Sequence, residues 1–135
     1  MNIRRVAQLI LYDDKHRILL QDREGYKSGM KWGFFGGKIE EGETPKQALV
    51  RELREELELT LNPKSYTFLG TFTSNIADLK IEHHVFLYSF KHGTKLRQHE
   101  GAGRKWFTPK EAFELKNFSD GDKAIITSFV NELGL

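Results

Sequence analysis

Four glutamates crowd into "RELREELEL" at residues 51–59, a stretch short enough for about two turns of helix. At the helical period, Glu52, Glu55 and Glu56 share about a third of the helix circumference. Like charges at this spacing cost about a few tenths of a kcal/mol on an exposed helix and more where water is excluded. Carboxylate oxygens are the ligands that Mg²⁺ prefers, so a divalent cation would convert this repulsion into affinity.

A solvated acidic helix face is the alternative, because Arg51 and Arg54 each stand four residues before a glutamate and could neutralise it. The loop in front of the helix favours the metal interpretation. Gly36 and Gly37 allow close approach of the backbone, and Glu43 lies just before the helix begins. Together these groups would gather the hard oxygen ligands that suit Mg²⁺.

The helix that positions these carboxylates is predicted to begin after Thr44. Thr44 can cap it, Pro45 suits the first helical position, and Gln47 completes a capping box. Its apolar face consists of Leu49, Val50, Leu53 and Leu57. This face predicts that the helix packs on a core while the glutamates line its edge.

Segments with strand-like patterns lie on both sides of this helix. The predicted strands cover residues 4–12, 17–23, 66–74, 80–90 and 104–108, and the first two form a hairpin. The segment 24–43 holds six glycines and predicts mostly loop. One further helix begins at the capping box of residues 108–111, and another runs from Ser119 or Asp120 to Leu133. This order predicts an α/β or α+β fold in which helices sandwich a sheet.

Length and composition predict one soluble domain over residues 1–135. The absence of cysteine excludes disulfides and thiolate metal sites and is compatible with a cytoplasmic location. The net charge of only +2 argues against binding to a nucleic acid duplex. No segment approaches the roughly 20 apolar residues that span a membrane. The histidines lack the spacing of a zinc site.

Gly37, Glu43 and the segment 51–59 together resemble the Nudix box, a pattern of glycine, glutamate and Arg-Glu-apolar-any-Glu-Glu-any-Gly-apolar. Eight of its nine specified positions match over 23 residues. Glu58 is the departure, since the family has glycine there, and we expect a differently shaped turn at the helix end. The resemblance extends loosely over the chain and implies a MutT-like Nudix fold, with a mixed sheet between helices.

The resemblance also implies a catalytic apparatus. Its implied ligands for Mg²⁺, or Mn²⁺ as a substitute, are the carboxylates of Glu52, Glu55 and Glu56 and the carbonyl of Gly36. An ion pair between Arg51 and Glu43, beside Gly37, would orient the loop and helix. The implied general base is Glu100, because a later loop supplies a glutamate base in several Nudix hydrolases. Glu55 is the alternative base, since a carboxylate beside the metal could take a proton from bound water.

The implied reaction is hydrolysis of a phosphoanhydride in a nucleoside diphosphate linked to another group. The predicted contacts to this small-molecule substrate are Arg23, Phe34, Phe35, Lys38, Asn117 and Asp120, with Asp122 as an alternative for the polar edge of the base. The proline common in ADP-ribose hydrolases of the family is missing from residues 74–76, which favours a nucleoside triphosphate pyrophosphohydrolase of the MutT type. A nucleotide-sugar or dinucleoside polyphosphate hydrolase, or a Nudix module that binds nucleotide without cleaving it, are the alternatives. We expect a monomer or a homodimer.

Overall fold

A computed structural model of the chain describes residues 2–23, 31–91, 93–116 and 118–135. The strands are β1 (Asn2–Tyr12), β2 (Ile18–Asp22), β3 (Trp32–Gly33), β4 (Phe35–Lys38), β5 (Tyr66–Ile76), β6 (Leu79–Ser89) and β7 (Gly103–Phe107). The helices are α1 (Pro45–Leu57), α2 (Pro109–Phe113) and α3 (Asp120–Glu132).

All seven strands of the described residues belong to one mixed sheet, whose main path runs β3-β2-β1-β6-β5. Strand β1 is parallel to β6 along its whole length and antiparallel to β2 and β4. The carboxyl end of β1 meets β2, where Tyr12 pairs with Ile18, whereas residues 6–9 of β1 pair with β4. Strand β7 extends the sheet from β2. Two different partners therefore share one side of β1.

Helix α1 forms as its sequence predicts. The Thr44 side chain accepts a hydrogen bond from the Gln47 backbone, and the Gln47 side chain accepts one from the Thr44 backbone, so both halves of the capping box are present. Helix α1 packs against the sheet through its fully buried apolar residues, Ala48, Leu49, Leu53 and Leu57. This packing orients the glutamate face of α1 toward the glycines of β4, which α1 contacts.

The two faces of the sheet carry separate cores, and β1 contributes to both. Leu9 and Leu11 pack with the α1 side, while Ile10 packs with α3 on the other side, as the alternation of a strand requires. Helix α3 begins at the predicted cap, Ser119, and buries Ile125 and Phe129. The sheet is thus sandwiched between helices.

The Gly-rich segment contains more strand than its sequence predicts. Strands β3 and β4 lie within it, and only residues 31–43 of it can be compared because residues 24–30 are outside the described ranges. Gly36 makes this pairing feasible: its φ is +143°, and a Cβ there would lie 2.1 Å from the Ala7 carbonyl oxygen. The prediction of loop was wrong here because tertiary pairing with β1 overrides the weak strand propensity of glycine.

Candidate active site

A cavity of about 460 Å³ lies where α1, the start of α3 and strands β1, β4, β5 and β6 meet. What we call its acidic side is lined by Arg23, Gly36, Gly37, Glu52, Glu56 and Glu100. What we call its polar side is lined by Gln8, Ser74, His83, Ser119 and Asp122. The two sides adjoin at Gln8 and Gly36, which are opposite each other in the β1–β4 ladder. The volume suits a small-molecule ligand.

Arg51 ties the acidic side together. Its guanidinium holds both carboxylate oxygens of Glu43 at 2.8 Å, and it donates to the Lys38 carbonyl at 3.0 Å and to Glu52 Oε1 at 2.8 Å. The Arg51 hydrogen bonds, with one from the Glu40 backbone, lower the pKa of Glu43 to about 2. The predicted ion pair is therefore present, and it fixes the loop, the end of β4 and the Glu52 carboxylate relative to one another.

Glu56 is the most unusual group on the acidic side. Its residue is 2% exposed, and its Oε1 has no hydrogen-bond partner among the described residues. Burial raises the pKa of Glu56 to about 8, the negative charges of Glu52 and Glu100 add to the rise, and Arg23 opposes it. A buried acceptor without a partner is costly, and a cation beside it would supply the missing interaction.

These residues fit a divalent cation by their chemistry. Within the described ranges, no three His, Asp or Glu side chains already lie as close together as in a filled metal site. Glu52 faces the cavity against Gly37, where a Cβ would lie 2.4 Å from the Glu52 carboxyl carbon. Glu55 is directed outward, with its side chain 60% exposed and 3.6 Å from Arg51. An oxygen donor set with an orphaned buried carboxylate matches a hard divalent ion.

Arg23 and Glu100 are linked through Gln21, which sequence reasoning missed. Arg23 donates to the Phe34 carbonyl at 2.6 Å and to Gln21 Oε1 at 3.1 Å, while Gln21 Nε2 donates to the Glu100 carbonyl at 3.1 Å. Gly33 leaves room for this arrangement, since a Cβ there would lie 2.7 Å from Arg23 Cζ. In the sequence, the one feature that could have indicated this role is a glutamine within a strand of mostly apolar, buried residues.

A chain of hydrogen bonds runs along the polar side. His83 Nδ1 lies 2.7 Å from Gln8 Oε1, which can only accept, so Nδ1 carries the proton. Burial lowers the pKa of His83 and keeps the ring neutral; Nε2 is then an acceptor for the Ser74 hydroxyl at 2.8 Å. Ser119 Oγ lies 3.1 Å from Ser74 Oγ and completes the chain. The Gln8 amide group is left to offer N–H donors to the cavity.

Helix α3 closes the polar side at its amino end. Gly121 permits this contact, because a Cβ there would lie 2.0 Å from Ser74 Oγ. Asp122 is buried, lines the cavity and accepts a hydrogen bond from the Ser119 backbone at 3.2 Å. The polar side therefore presents a carboxylate from α3 as well as the donors of Gln8.

The predicted substrate contacts separate in the structure. Phe34 and Lys38 line the cavity together with Arg23. Phe35 is instead fully buried in the core beneath α1, a packing position that replaces the predicted contact with a base. Asp120 is exposed at the start of α3, and Asn117 lies outside the described residues.

The family model described as "NUDIX domain" matches residues 2–129. The chain belongs to the Nudix family. This Nudix chain is 34% identical over 109 residues to the CTP pyrophosphohydrolase of Escherichia coli K12, covering 81% of the chain and 78% of the relative. It is 32% identical over 114 residues to the oxidized purine nucleoside triphosphate hydrolase of Mus musculus, covering 79% and 68%. The solution structure of the Escherichia coli ORF135 protein superposes with a TM-score of 0.77 at 31% identity, covering 97% of this chain and 91% of that one.

These comparisons confirm the predicted family, the Nudix fold with its mixed sheet between helices, and the assignment to an enzyme family of nucleotide hydrolases. Nudix hydrolases generally use divalent metal ions, which agrees with the oxygen donors gathered on the acidic side. None of the helices in the described ranges is long and apolar enough to cross a membrane.

Proposed function

We propose that this Nudix chain hydrolyses nucleoside triphosphates with Mg²⁺, or with Mn²⁺ in its place, and releases a nucleoside monophosphate and pyrophosphate. One observation carries the proposal: a single cavity joins an acidic side to a polar side, at Gln8 and Gly36. The acidic side suits a metal-bound phosphate chain, and the polar side suits the hydrogen-bonding edge of a nucleobase. The nucleoside triphosphates in the names of the two relatives support this substrate class.

On the acidic side, Glu52 and Glu56 are the proposed chief metal ligands, with the Gly36 carbonyl beside them. Glu55 would join this donor set only if its side chain, which is directed outward here, turned toward the cavity. When bound, the cation would neutralise phosphate charge and lower the pKa of a coordinated water. Arg51 holds the Glu52 carboxylate in place through the 2.8 Å hydrogen bond. The cation would serve both groups, because Glu56 Oε1 has no hydrogen-bond partner among the described residues and a triphosphate carries several negative charges.

Glu100 is the proposed general base. It lines the cavity, and its charge acts on Glu56, so it lies close to the acidic cluster. Glu55 is a weaker candidate because its side chain is mostly exposed and paired with Arg51 outside the cavity lining. In this role the Glu100 carboxylate takes a proton from the water that attacks phosphorus, and pyrophosphate leaves with the electron pair of the broken P–O bond.

Substrate binding divides between the two sides. Arg23 and Lys38 are the proposed phosphate contacts, since both line the cavity and carry fixed positive charge. On the polar side, the Gln8 amide would donate to a base carbonyl or ring nitrogen, while Asp122 would accept from a base amino group. Phe34 forms part of the apolar wall beside them.

A substrate panel tests this function. The wild-type chain is incubated with CTP, ATP, an oxidised purine triphosphate, a dinucleoside polyphosphate and a nucleotide sugar, each with Mg²⁺ or Mn²⁺. Separate assays quantify orthophosphate, pyrophosphate and nucleoside monophosphate. We expect equal amounts of monophosphate and pyrophosphate from at least one triphosphate. Release of orthophosphate with a nucleoside diphosphate, and with neither monophosphate nor pyrophosphate, would contradict the proposal, as would turnover of only the other two classes.

A further inference from the structure

Helix α1 ends at Glu58 in a left-handed backbone conformation, with φ 52° and ψ 30°. The Glu58 amide donates to the Arg54 carbonyl at 3.0 Å, and the Leu59 amide donates to the Leu53 carbonyl at 3.2 Å. Glycine usually ends helices in this way because a side chain is strained there. The differently shaped turn expected at Glu58 is therefore not found: glutamate adopts the conformation that glycine would adopt.

The Glu58 side chain contacts the segment that leads to β7. Its Oε2 lies 2.5 Å from His99 Nε2 and 3.6 Å from Arg97 Nε. The same segment is held by its backbone, since the Arg97 amide donates to the Leu57 carbonyl at 3.0 Å and the His99 amide to the Glu56 carbonyl at 2.8 Å. These carbonyls belong to the last turn of α1, where helical partners run out. Residues 97–99 are thus docked onto the end of α1 by four contacts, two from the Glu58 side chain and two between backbones.

This docking acts together with the hydrogen bond from Gln21 to the Glu100 carbonyl to position Glu100. Glu100 follows His99 directly, lines the acidic side of the cavity and acts electrostatically on Glu56. A shift of residues 97–99 away from α1 would carry the Glu100 carboxylate away from the carboxylates of the helix. Misplacement of a catalytic group by about 1 Å can cost up to about a hundredfold in rate.

We propose that Glu58 is a positioning residue, which holds the segment bearing Glu100 against the end of α1 through His99. This inference rests on the proposed function, in which Glu100 is the general base. A purely stabilising role explains Glu58 poorly. Its carboxylate and the His99 ring are each about half exposed, at 49% and 46%, and exposed ion pairs contribute little to folding stability. A strained backbone conformation retained for so weak a pair indicates a role in geometry.

The test replaces Glu58 by the residue that fits its backbone best. In Glu58→Gly we expect kcat for the best triphosphate to fall about five- to tenfold, with KM within about twofold. The melting temperature should change by no more than about 3 °C in either direction, because relief of strain offsets the lost pair. His99→Ala should give a similar loss of kcat, and the double variant should lose no more than either single variant.

His16→Gly is the matched control. His16 also has a left-handed backbone, with φ 60°, but lies in the turn between β1 and β2, outside the cavity lining. Glycine there should relieve comparable strain while leaving kcat unchanged. A Glu58→Gly enzyme with wild-type kcat, or additive losses in the double variant, would overturn the proposal.

Hydrogen exchange provides a readout that needs no activity. Because the amides of Arg97 and His99 donate to carbonyls of α1, their exchange should accelerate at least about threefold in Glu58→Gly and stay unchanged in His16→Gly. If the wild-type chain hydrolyses no nucleotide, the proposed function fails while this exchange still reports on the docking. Unchanged exchange in Glu58→Gly would show that Glu58 does not hold the segment.

Discussion

The acidic and polar sides of the cavity are built in opposite ways. Most groups of the acidic side come from one continuous segment, which runs from Gly36 to Glu56 through β4, a loop and α1. The polar side is assembled from β1, β5, β6 and α3, so that Gln8 and His83 are 75 residues apart when they form their hydrogen bond. Local spacing along the sequence is enough to specify the acidic side, whereas the polar side depends on the register of the whole sheet.

The two sides also differ in how their polar groups are satisfied. On the acidic side, Glu56 keeps an unpartnered buried oxygen and a pKa raised mainly by burial. On the polar side, His83 uses both ring nitrogens, and its burial is matched by hydrogen bonds to Gln8 and Ser74. The acidic side therefore requires a cation to be stable in its charged form, while the polar side is organised in advance for a neutral ligand.

Of the substitutions considered, Glu56→Gln should lower kcat the most, because it removes a charge from the acidic side while conserving the shape of the side chain. We expect kcat to fall at least about a thousandfold for every nucleotide, since several kcal/mol of transition-state stabilisation depend on the bound cation. Steady-state rates with Mg²⁺ across the triphosphates measure this. Glu132→Gln, at an exposed glutamate near the end of α3, is the charge-matched control and should retain wild-type rates. A loss of kcat for the triphosphate of one base alone would contradict the assignment of the acidic side to the phosphate chain and of the polar side to the base.

The same contrast explains what the sequence could and could not predict. Thr44, Gln47 and the leucines of α1 specify a capped amphipathic helix by local rules, so α1 and its glutamate face were predicted correctly. The ion pair between Arg51 and Glu43 followed from the motif. Local patterns cannot show that β4 pairs with β1 through Gly36, and this pairing is what brings Gln8 to the acidic side.

Apart from Asp122, the polar side was missed for a related reason. Ser74 and His83 have no chemical pattern of their own in sequence, and each becomes meaningful only when β5 pairs with β6 beside β1. Phe35 shows the reverse error: it was predicted to contact the base, but strand alternation directs it into the core beneath α1. The position of Asp122 in the cavity likewise depends on how closely Gly121 lets α3 approach β5.

Gln8→Met, on the polar side, should reduce activity less than Glu56→Gln, and its effect should depend on the base of the substrate. The substitution conserves approximate volume but removes both the amide donors and the oxygen that accepts from His83, so we expect KM to rise about tenfold for the preferred base, with kcat within about twofold. The ratio of kcat/KM between preferred and poor triphosphates should shrink accordingly. Competition assays with pairs of triphosphates measure that ratio. An equal loss for all bases would indicate that Gln8 serves the phosphate chain rather than the base.

The smallest expected effect concerns the stability of the chain without metal. A glutamate whose pKa is raised by folding stabilises the folded state fully below about pH 4.5, and this contribution is lost as pH rises through the folded value of about 8. In a chelator, the melting temperature of the wild type should therefore fall between pH 5 and 8 by a few degrees more than that of Glu56→Gln. Melting curves at several pH values measure the difference in slope.

Comparison with Glu56→Gln removes the contributions of other groups. The pKa of Glu43, lowered to about 2 by its bonds to Arg51, gives a contribution lost only at more acidic pH, and the lowered pKa of His83 affects both proteins alike. Saturating Mg²⁺ should abolish the extra pH dependence of the wild type, because the cation stabilises the Glu56 carboxylate. Parallel pH profiles without metal would mean that Glu56 is ionised in the folded chain, and the proposed electrostatic contrast between the two sides would then be wrong.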